Sequence, residues 1–228
     1  EFIGMLKIAD SFDLVKLTAD FSKAVVEKLK AHELFSDAEL EKFKDSEEID
    51  SIKTFVNEHH AEGLYHMGEL VGCVKRAHEV DSSLTAHIMF ENLDVKASGV
   101  LAVKHLMKNS SVKADEIEYV IECSEEACGD MNQRGGGNFA KSIAEACSFT
   151  NATGSDTRGF CAGPTHALIN AAALVKSGVY KHVVVVGGGA TAKLGMNAKD
   201  HIKKNIPVLE DVLGGFAVLV SEDDGISP

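Results

Sequence analysis

The sequence has no tryptophan, three prolines and three tyrosines, and no apolar run of membrane-spanning length. The missing tryptophan decides nothing. The missing apolar run excludes a helical membrane span, and no signal-peptide pattern opens the chain. Basic charge is scarce: 23 Lys and Arg face 35 Asp and Glu, a net charge of −12. That balance excludes nucleic acid and an anionic membrane as the main partner. Disulfide logic is absent too. Five cysteines, an odd number, are scattered through a chain with ample apolar residues. This fits a reducing, cytoplasmic compartment better than a disulfide framework. There is no CxxC pair. Cys123 and Cys128, with His59, His60 and His66, form no recognisable zinc-ligand set. No Walker loop and no dinucleotide fingerprint occurs, so neither metal nor cofactor is expected.

What is present centres on Thr157–His166, TRGFCAGPTH. Asn151–Asp156 reads as a turn feeding a short strand, and Ala162–Lys176 as a helix of small apolar residues. Cys161 therefore sits at a strand-to-helix junction. The first turn of a helix carries unpaired N–H groups and partial positive charge. Both favour thiolate over thiol, and the thiolate is the nucleophile. The same N–H groups can stabilise an oxyanion formed when sulfur attacks a carbonyl. Pro164, in the first turn, costs no helical hydrogen bond. The bland alternative is a small buried hydrophobe, as most thiols are. The junction and the glycines at 159 and 163 favour the nucleophile.

Two regions are expected. Residues 1–80 read as a helical extension: a helix capped by Ser11 and running to about Ala31, a capping box at Ser36–Glu39, and a third helix from Glu47 to His60. A hairpin with its turn near Met67–Gly68 follows. The extension serves either as a docking appendage or as cover for its own core. Residues 81–228 alternate helix and strand: a helix at 93–108, a strand at 118–123, a polar loop to Asn138, a helix at 139–147, then the Cys161 unit and strands at 182–187 and 215–220. This pattern predicts an α/β fold with a mostly parallel sheet. The 162–176 helix shows no solvent face, so it is expected to be covered on all sides. One set of strands cannot supply both covers, and a second half or partner chain is implied. The chain starts at Glu1 and stops just past a strand, which reads as a piece of something longer.

Other candidate sites are weaker. Arg134, Gly135, Gly136, Gly137 and Asn138 precede a helix and form a plausible substrate or phosphate loop, or a simple turn. Gly187–Thr191 ends a buried strand, where glycines more often permit close packing than bind phosphate. His166 lies too far along its helix to act as a base for Cys161 and reads as a buried, hydrogen-bonded histidine. Glu122, Glu125, Glu126, Asp130 and Asp156 border the loops leading to the cysteine, and the sequence does not choose among them.

The runs Asp156–Leu168, Val175–Gly187 and Gly214–Val220 resemble the first half of thiolase-superfamily condensing enzymes, of the ketoacyl-acyl-carrier-protein synthase III type. That resemblance implies one half of a thiolase-like fold, with a mostly parallel five-stranded sheet, and a catalytic role for Cys161. More narrowly, Ile121–Lys141, Asn151–Cys161 and Ala190–Asn197 resemble component C, β subunit, of glycine/sarcosine/betaine reductase complexes. This implies acetyl transfer through a cysteine thioester, release of acetyl phosphate, and an anaerobic bacterial setting. It implies a component C α subunit and a selenoprotein as partners. Self-association is expected separately, to cover the apolar 162–176 helix and one sheet face. The isolated piece is expected to be inactive, since the thiolase family draws its other catalytic residues from a second half. The alternatives are an acyl-CoA-dependent condensing enzyme and a non-catalytic scaffold that docks the acetyl-transferring partner.

Overall fold

The structure is a computed structural model that describes residues 1–124, 138–190, 203–205 and 213–225. It divides into two compact units, the first ending at Leu93 and the second starting at Asp94. Among the described residues, no helix is long and apolar enough to cross a membrane.

The first unit opens with α1 (Phe2–Ala9), whose Met5, Leu6, Ile8 and Ala9 are buried. The expected single helix from Ser11 to Ala31 does not form as such. Asp10 breaks it: its carboxylate accepts from Phe12 N at 2.9 Å and Val15 N at 2.7 Å. This local bonding competes with helix. Asp13 turns through the left-handed region at φ 58°. β-branched Val15 then starts a short strand, β1 (Val15–Leu17), before α2 (Ala19–Ala31). The capping box is present as expected, with Ser36 and Glu39 each bonding the other's backbone N–H at the start of α3 (Asp37–Leu40). α4 (Ile49–Glu58) follows, burying Ile52.

The hairpin is also present. β2 (Glu62–His66) and β3 (Glu69–Val74) pair antiparallel, with a register shift between Leu64 and Tyr65. Met67 and Gly68 both have positive φ, 50° and 83°. That is the pattern of a two-residue turn matched to strand twist. β1 adds to the other edge of β3, giving the order β1-β3-β2. β1 thus extends the expected hairpin to a three-stranded antiparallel sheet.

α5 (Ala86–Asn109) begins seven residues earlier than the expected 93 and carries the chain from one unit to the other. In the second unit the order is β4 (Tyr119–Glu122), α6 (Phe139–Ala146), β5 (Thr153–Asp156), α7 (Gly163–Lys176), β6 (Val183–Ala190) and β7 (Leu213–Val220). The sheet order is β5-β4-β6-β7. β4 pairs in parallel with β5 and β6, and β7 closes antiparallel on β6 over eight residue pairs. The described residues hold four strands of this sheet where five were expected.

The central strand β6 is Val183–Val186 followed by glycines, and all four valines are completely buried. A strand apolar on both faces needs cover on both. α7 covers one face: Ala167, Ala171 and Val175 pack with Ile121, Cys123, Val183 and Val185. The opposite face meets α6 and the second-unit part of α5. A Cβ on Gly154 would lie 2.9 Å from Ala140 Cβ, and one on Gly99 would lie 2.8 Å from Ile143 and 3.4 Å from Val186.

The expected total burial of the 162–176 helix is not met within this chain. Gly163, Ala167, Ala171 and Val175 form one buried stripe at helical spacing. Leu168 and Ile169, on the rest of the surface, are 38% and 61% exposed. One sheet covers one side of the helix, and nothing among the described residues covers the other.

Candidate functional site

The three parallel strands end together. Glu122 closes β4, Asp156 closes β5, and the glycines of β6 begin opposite them. The carboxyl edge of an open α/β sheet is where ligands bind in this architecture, because successive loops diverge there. Each loop at this edge is held by specific bonds.

Glu122 is fully buried at the end of β4. One carboxylate oxygen accepts from Ser124 N at 2.7 Å, and the other from Arg158 Nη1 at 2.6 Å. Burial pushes this carboxyl up from the ordinary carboxylate range, and the Arg158 guanidinium and Ser124 N–H only partly offset that push. Arg158 also reaches Asp156 Oδ2 at 3.3 Å and its neighbour's carbonyl, Thr157 O, at 3.3 Å. Its guanidinium lies 5.9 Å from the centre of the Phe139 ring. Asp156 in turn accepts from Phe139 N and Ala140 N at 3.0 and 2.9 Å. A carboxylate on two orphan N–H groups at a helix start is a favourable cap. Arg158 therefore joins β4, β5 and the start of α6.

From this anchor the chain turns into the nucleophile. Thr157 N donates to Glu122 O at 2.7 Å. Gly159–Phe160–Cys161–Ala162–Gly163 then makes a strand-to-helix turn, with a single 3₁₀ turn at Phe160–Ala162. Phe160 has φ 49°, an unusual backbone for an aromatic residue, and its side chain is 84% exposed. Backbone outliers of this kind cluster at functional sites. Both flanking glycines are needed for space. A Cβ on Gly163 would lie 2.9 Å from Cys123 O, and one on Gly159 would lie 3.0 Å from the His166 ring. Cys161 is exposed, whereas Cys73 and Cys123 are buried. Burial pushes the Cys123 thiol up to about 12 and the Cys73 thiol up to about 11. The inert-hydrophobe alternative thus describes Cys73 and Cys123, not Cys161.

The donors around Cys161 are fewer than its position implies. Ala162 N already bonds Gly159 O at 3.0 Å, and Gly163 N bonds Phe160 O. Pro164 has no N–H to offer. His166 corrects another expectation: it is exposed, not buried, with its ring against Gly159.

Of the proposed loop, Arg134, Gly135, Gly136 and Gly137 lie outside the described residues. Asn138 is an N-cap: its side chain accepts from Lys141 N at 2.9 Å and donates to Gly154 O at 3.3 Å. It holds α6 on β5. Among the undecided carboxylates, Glu122 and Asp156 are the two brought to the Cys161 turn, and Glu125, Glu126 and Asp130 fall outside the described residues.

The glycine run of β6 serves packing. Gly189 N bonds Ser98 Oγ at 2.9 Å and Gly188 N bonds Ser124 Oγ at 2.8 Å. A Cβ on Gly188 would lie 2.2 Å from Ser98 Oγ, and one on Gly215 2.6 Å from Ser98 O. Glycines on β6 and β7 form a saddle into which α5 settles.

The Arg158–Glu122 pair was not foreseen. The signal was available: a carboxylate ending an otherwise apolar strand, YVIE, and an arginine at the matching end of the next one.

Residues 155–227 match the 3-oxoacyl-[acyl-carrier-protein] synthase III family model. The β-ketoacyl-[acyl-carrier-protein] synthase III of Listeria monocytogenes serotype 1/2a is 32% identical over 95 residues, 41% of this chain and 28% of that protein. Among solved structures, the synthase III of Thermus thermophilus overlays with a TM-score of 0.47 at 22% identity, over 57% of this chain and 38% of that one. The glycine/sarcosine/betaine reductase complex component C β subunit of Peptoclostridium acidaminophilum is 60% identical over all 228 residues, and this chain spans 44% of its length. The chain is therefore a homologue of that component C β subunit, and its Cys161 unit lies within the segment shared with the ketoacyl-acyl-carrier-protein synthase III family.

Proposed function

We propose that Cys161 carries an acyl group as a thioester, and that the longer protein this chain matches transfers acetyl groups within a glycine/sarcosine/betaine reductase complex. The observation that carries this reading is the exposed thiol held on a Gly159–Gly163 turn at the start of α7, a 14-residue helix. The positive end of that helix favours the thiolate.

In the proposed reaction the Cys161 thiolate attacks the acyl carbon of the donor. The carbonyl oxygen becomes an oxyanion, the donor's leaving group departs with its electron pair, and a thioester remains. Attack of phosphate on that thioester forms acetyl phosphate and returns the thiolate. The oxyanion is held by the backbone N–H of Cys161 and by a donor from beyond this stretch of chain, because Ala162 N and Gly163 N are spent within the turn. The loop around Arg134–Gly137 with Asn138 shapes the acyl or phosphate pocket in this reading. A component C α subunit and the selenoprotein are its partners, in a reducing cytoplasm of an anaerobe. The exposed side of α7, with Leu168 and Ile169, is covered by protein, and isolated chains self-associate through it.

The family match over residues 155–227 favours a second reading, carbon–carbon condensation with an acyl-CoA donor. Both readings begin with an acylated cysteine. The test uses the full-length protein with its partner subunit, incubated with labelled acetyl phosphate or labelled acetyl-CoA, quenched, digested and mapped by mass spectrometry. Label on Cys161 from acetyl phosphate supports the first reading. Label from acetyl-CoA alone supports the second. Label only on the partner overturns both and leaves a scaffold.

A further inference from the structure

We propose that Arg158 is a positioning residue for Cys161, with buried Glu122 as its fixed point. The inference rests on Cys161 being the reactive thiol. It starts from a backbone problem. Phe160, next to the cysteine, is left-handed at φ 49°, and its ring is 84% exposed, so packing among the described residues does little to hold it there. The conformation is imposed from both sides. Downstream, α7 fixes Gly163 against Cys123 O, where no Cβ would fit. Upstream, the last residue with an anchored side chain is Arg158.

That anchor is directional. Nη1 takes Glu122 at 2.6 Å and Thr157 O at 3.3 Å, while Nη2 takes Asp156 at 3.3 Å. Both carboxylates are themselves fixed by backbone N–H groups, from Ser124 on one side and from Phe139 and Ala140 on the other. The guanidinium fork thus ties the start of the turn to three rigid elements, a geometry that a lysine's point charge does not reproduce. Stability alone is a poor reason for such a pair. Buried ion pairs often break even against well-packed apolar side chains of similar volume. What the pair supplies here is direction, three residues upstream of the sulfur it serves.

Arg158 is not a catalytic residue in this account. Its guanidinium is engaged by two acidic partners, Glu122 and Asp156, and its side chain is 30% exposed.

The test uses the full-length protein with its partner subunit. The rate of iodoacetamide modification of Cys161 is followed by peptide mass spectrometry across pH, for wild type, R158K, R158M and the double variant E122M/R158M. The double variant removes the buried charge along with its partner, so folding is preserved where R158M alone fails. R158M and the double variant are expected to slow Cys161 modification at neutral pH at least tenfold and to move the midpoint of its pH profile, with R158K between them and wild type. A double variant whose melting temperature is close to wild type but whose profile is shifted supports positioning. A double variant with the wild-type rate and midpoint overturns it, whatever happens to its stability. Because the readout is alkylation, it stands apart from the acyl-labelling result. A shifted profile without acylation of Cys161 keeps the positioning role and discards the acyl carrier.

Discussion

Arg158 Nη1 lies 2.6 Å from Glu122 Oε2, and the Glu122 side chain has no contact with solvent. Ionising a carboxylate buried this completely costs desolvation, and that cost is visible as a function of pH. Its folded-state pKa is raised by burial. The contribution to stability is therefore fully present below the ordinary carboxylate pKa and is lost as pH rises through the folded value. In E122Q that slope is absent. The melting temperature of wild type relative to E122Q is expected to fall as pH is raised from about 4 to about 7. Differential scanning fluorimetry across that range checks it, and a difference that rises with pH contradicts the assignment.

Removing Arg158 alone leaves the same carboxylate without its cation. R158M is expected to cost about 3–5 kcal/mol, the usual penalty for orphaning one member of a buried pair. E122M/R158M should recover most of that. Urea unfolding of the three proteins, read as midpoints at constant slope, decides the point.

The cysteines should separate by reactivity. Burial raises Cys73 to about 11 and Cys123 to about 12, from an ordinary 9.0. At pH 8 their thiolate populations are lower than that of an ordinary thiol by about 100-fold and about 1,000-fold. Brief alkylation of the native protein followed by peptide mapping should label exposed Cys161 and spare both. Labelling of Cys123 at the same rate as Cys161 would show that the sheet edge opens in solution.

The glycine saddle makes a paired prediction. G188A and G215A drive a methyl group to within 2.2 Å and 2.6 Å of Ser98 atoms, whereas a Cβ on Gly214 meets nothing within 4 Å. The first two should destabilise by about 1–3 kcal/mol, the range for overpacking, and G214A by much less. Thermal melts of the three single variants suffice.

The outer side of α7 gives a prediction about association. Leu168 and Ile169 stand exposed on α7. Light scattering should find the isolated chain larger than one copy, and I169E should return it towards a monomer. A wild-type monomer would remove self-association from the proposed function.

The second unit was largely legible in sequence because its signals are local and strong. Val183–Val186 has no polar side, so a central strand is the only comfortable place for it. The Ser36–Glu39 box and the Met67–Gly68 turn are likewise written in adjacent residues. The start of the chain misled because Phe12, Val15 and Ala19 keep helical spacing, while Asp10 breaks the helix through two bonds that spacing does not report. His166 misled because the helix around it is apolar, yet that side faces outward in this chain. The Cys161 turn was readable as a place but not as a mechanism of placement. Its anchor joins residues 122 and 158, and such a long-range pair has no local signature.

The position of β6 in the chain has a consequence for the order of assembly. β4 pairs with β5, 34 residues on, and with β6, which begins 64 residues after β4 begins. Until Val183–Ala190 has left the ribosome, one edge of β4 is open. Cys123 N and Sγ then lack their acceptor, Val186 O. The floor beneath the Cys161 turn is thus completed by a segment made after the turn itself. Early in synthesis the thiol is a side chain on an unfinished surface, and long-range strand pairing of this kind is the slow part of folding. Newly made chains should therefore pass through a period in which Cys123 is as open to oxidants as Cys161, and the arrival of β6 ends it.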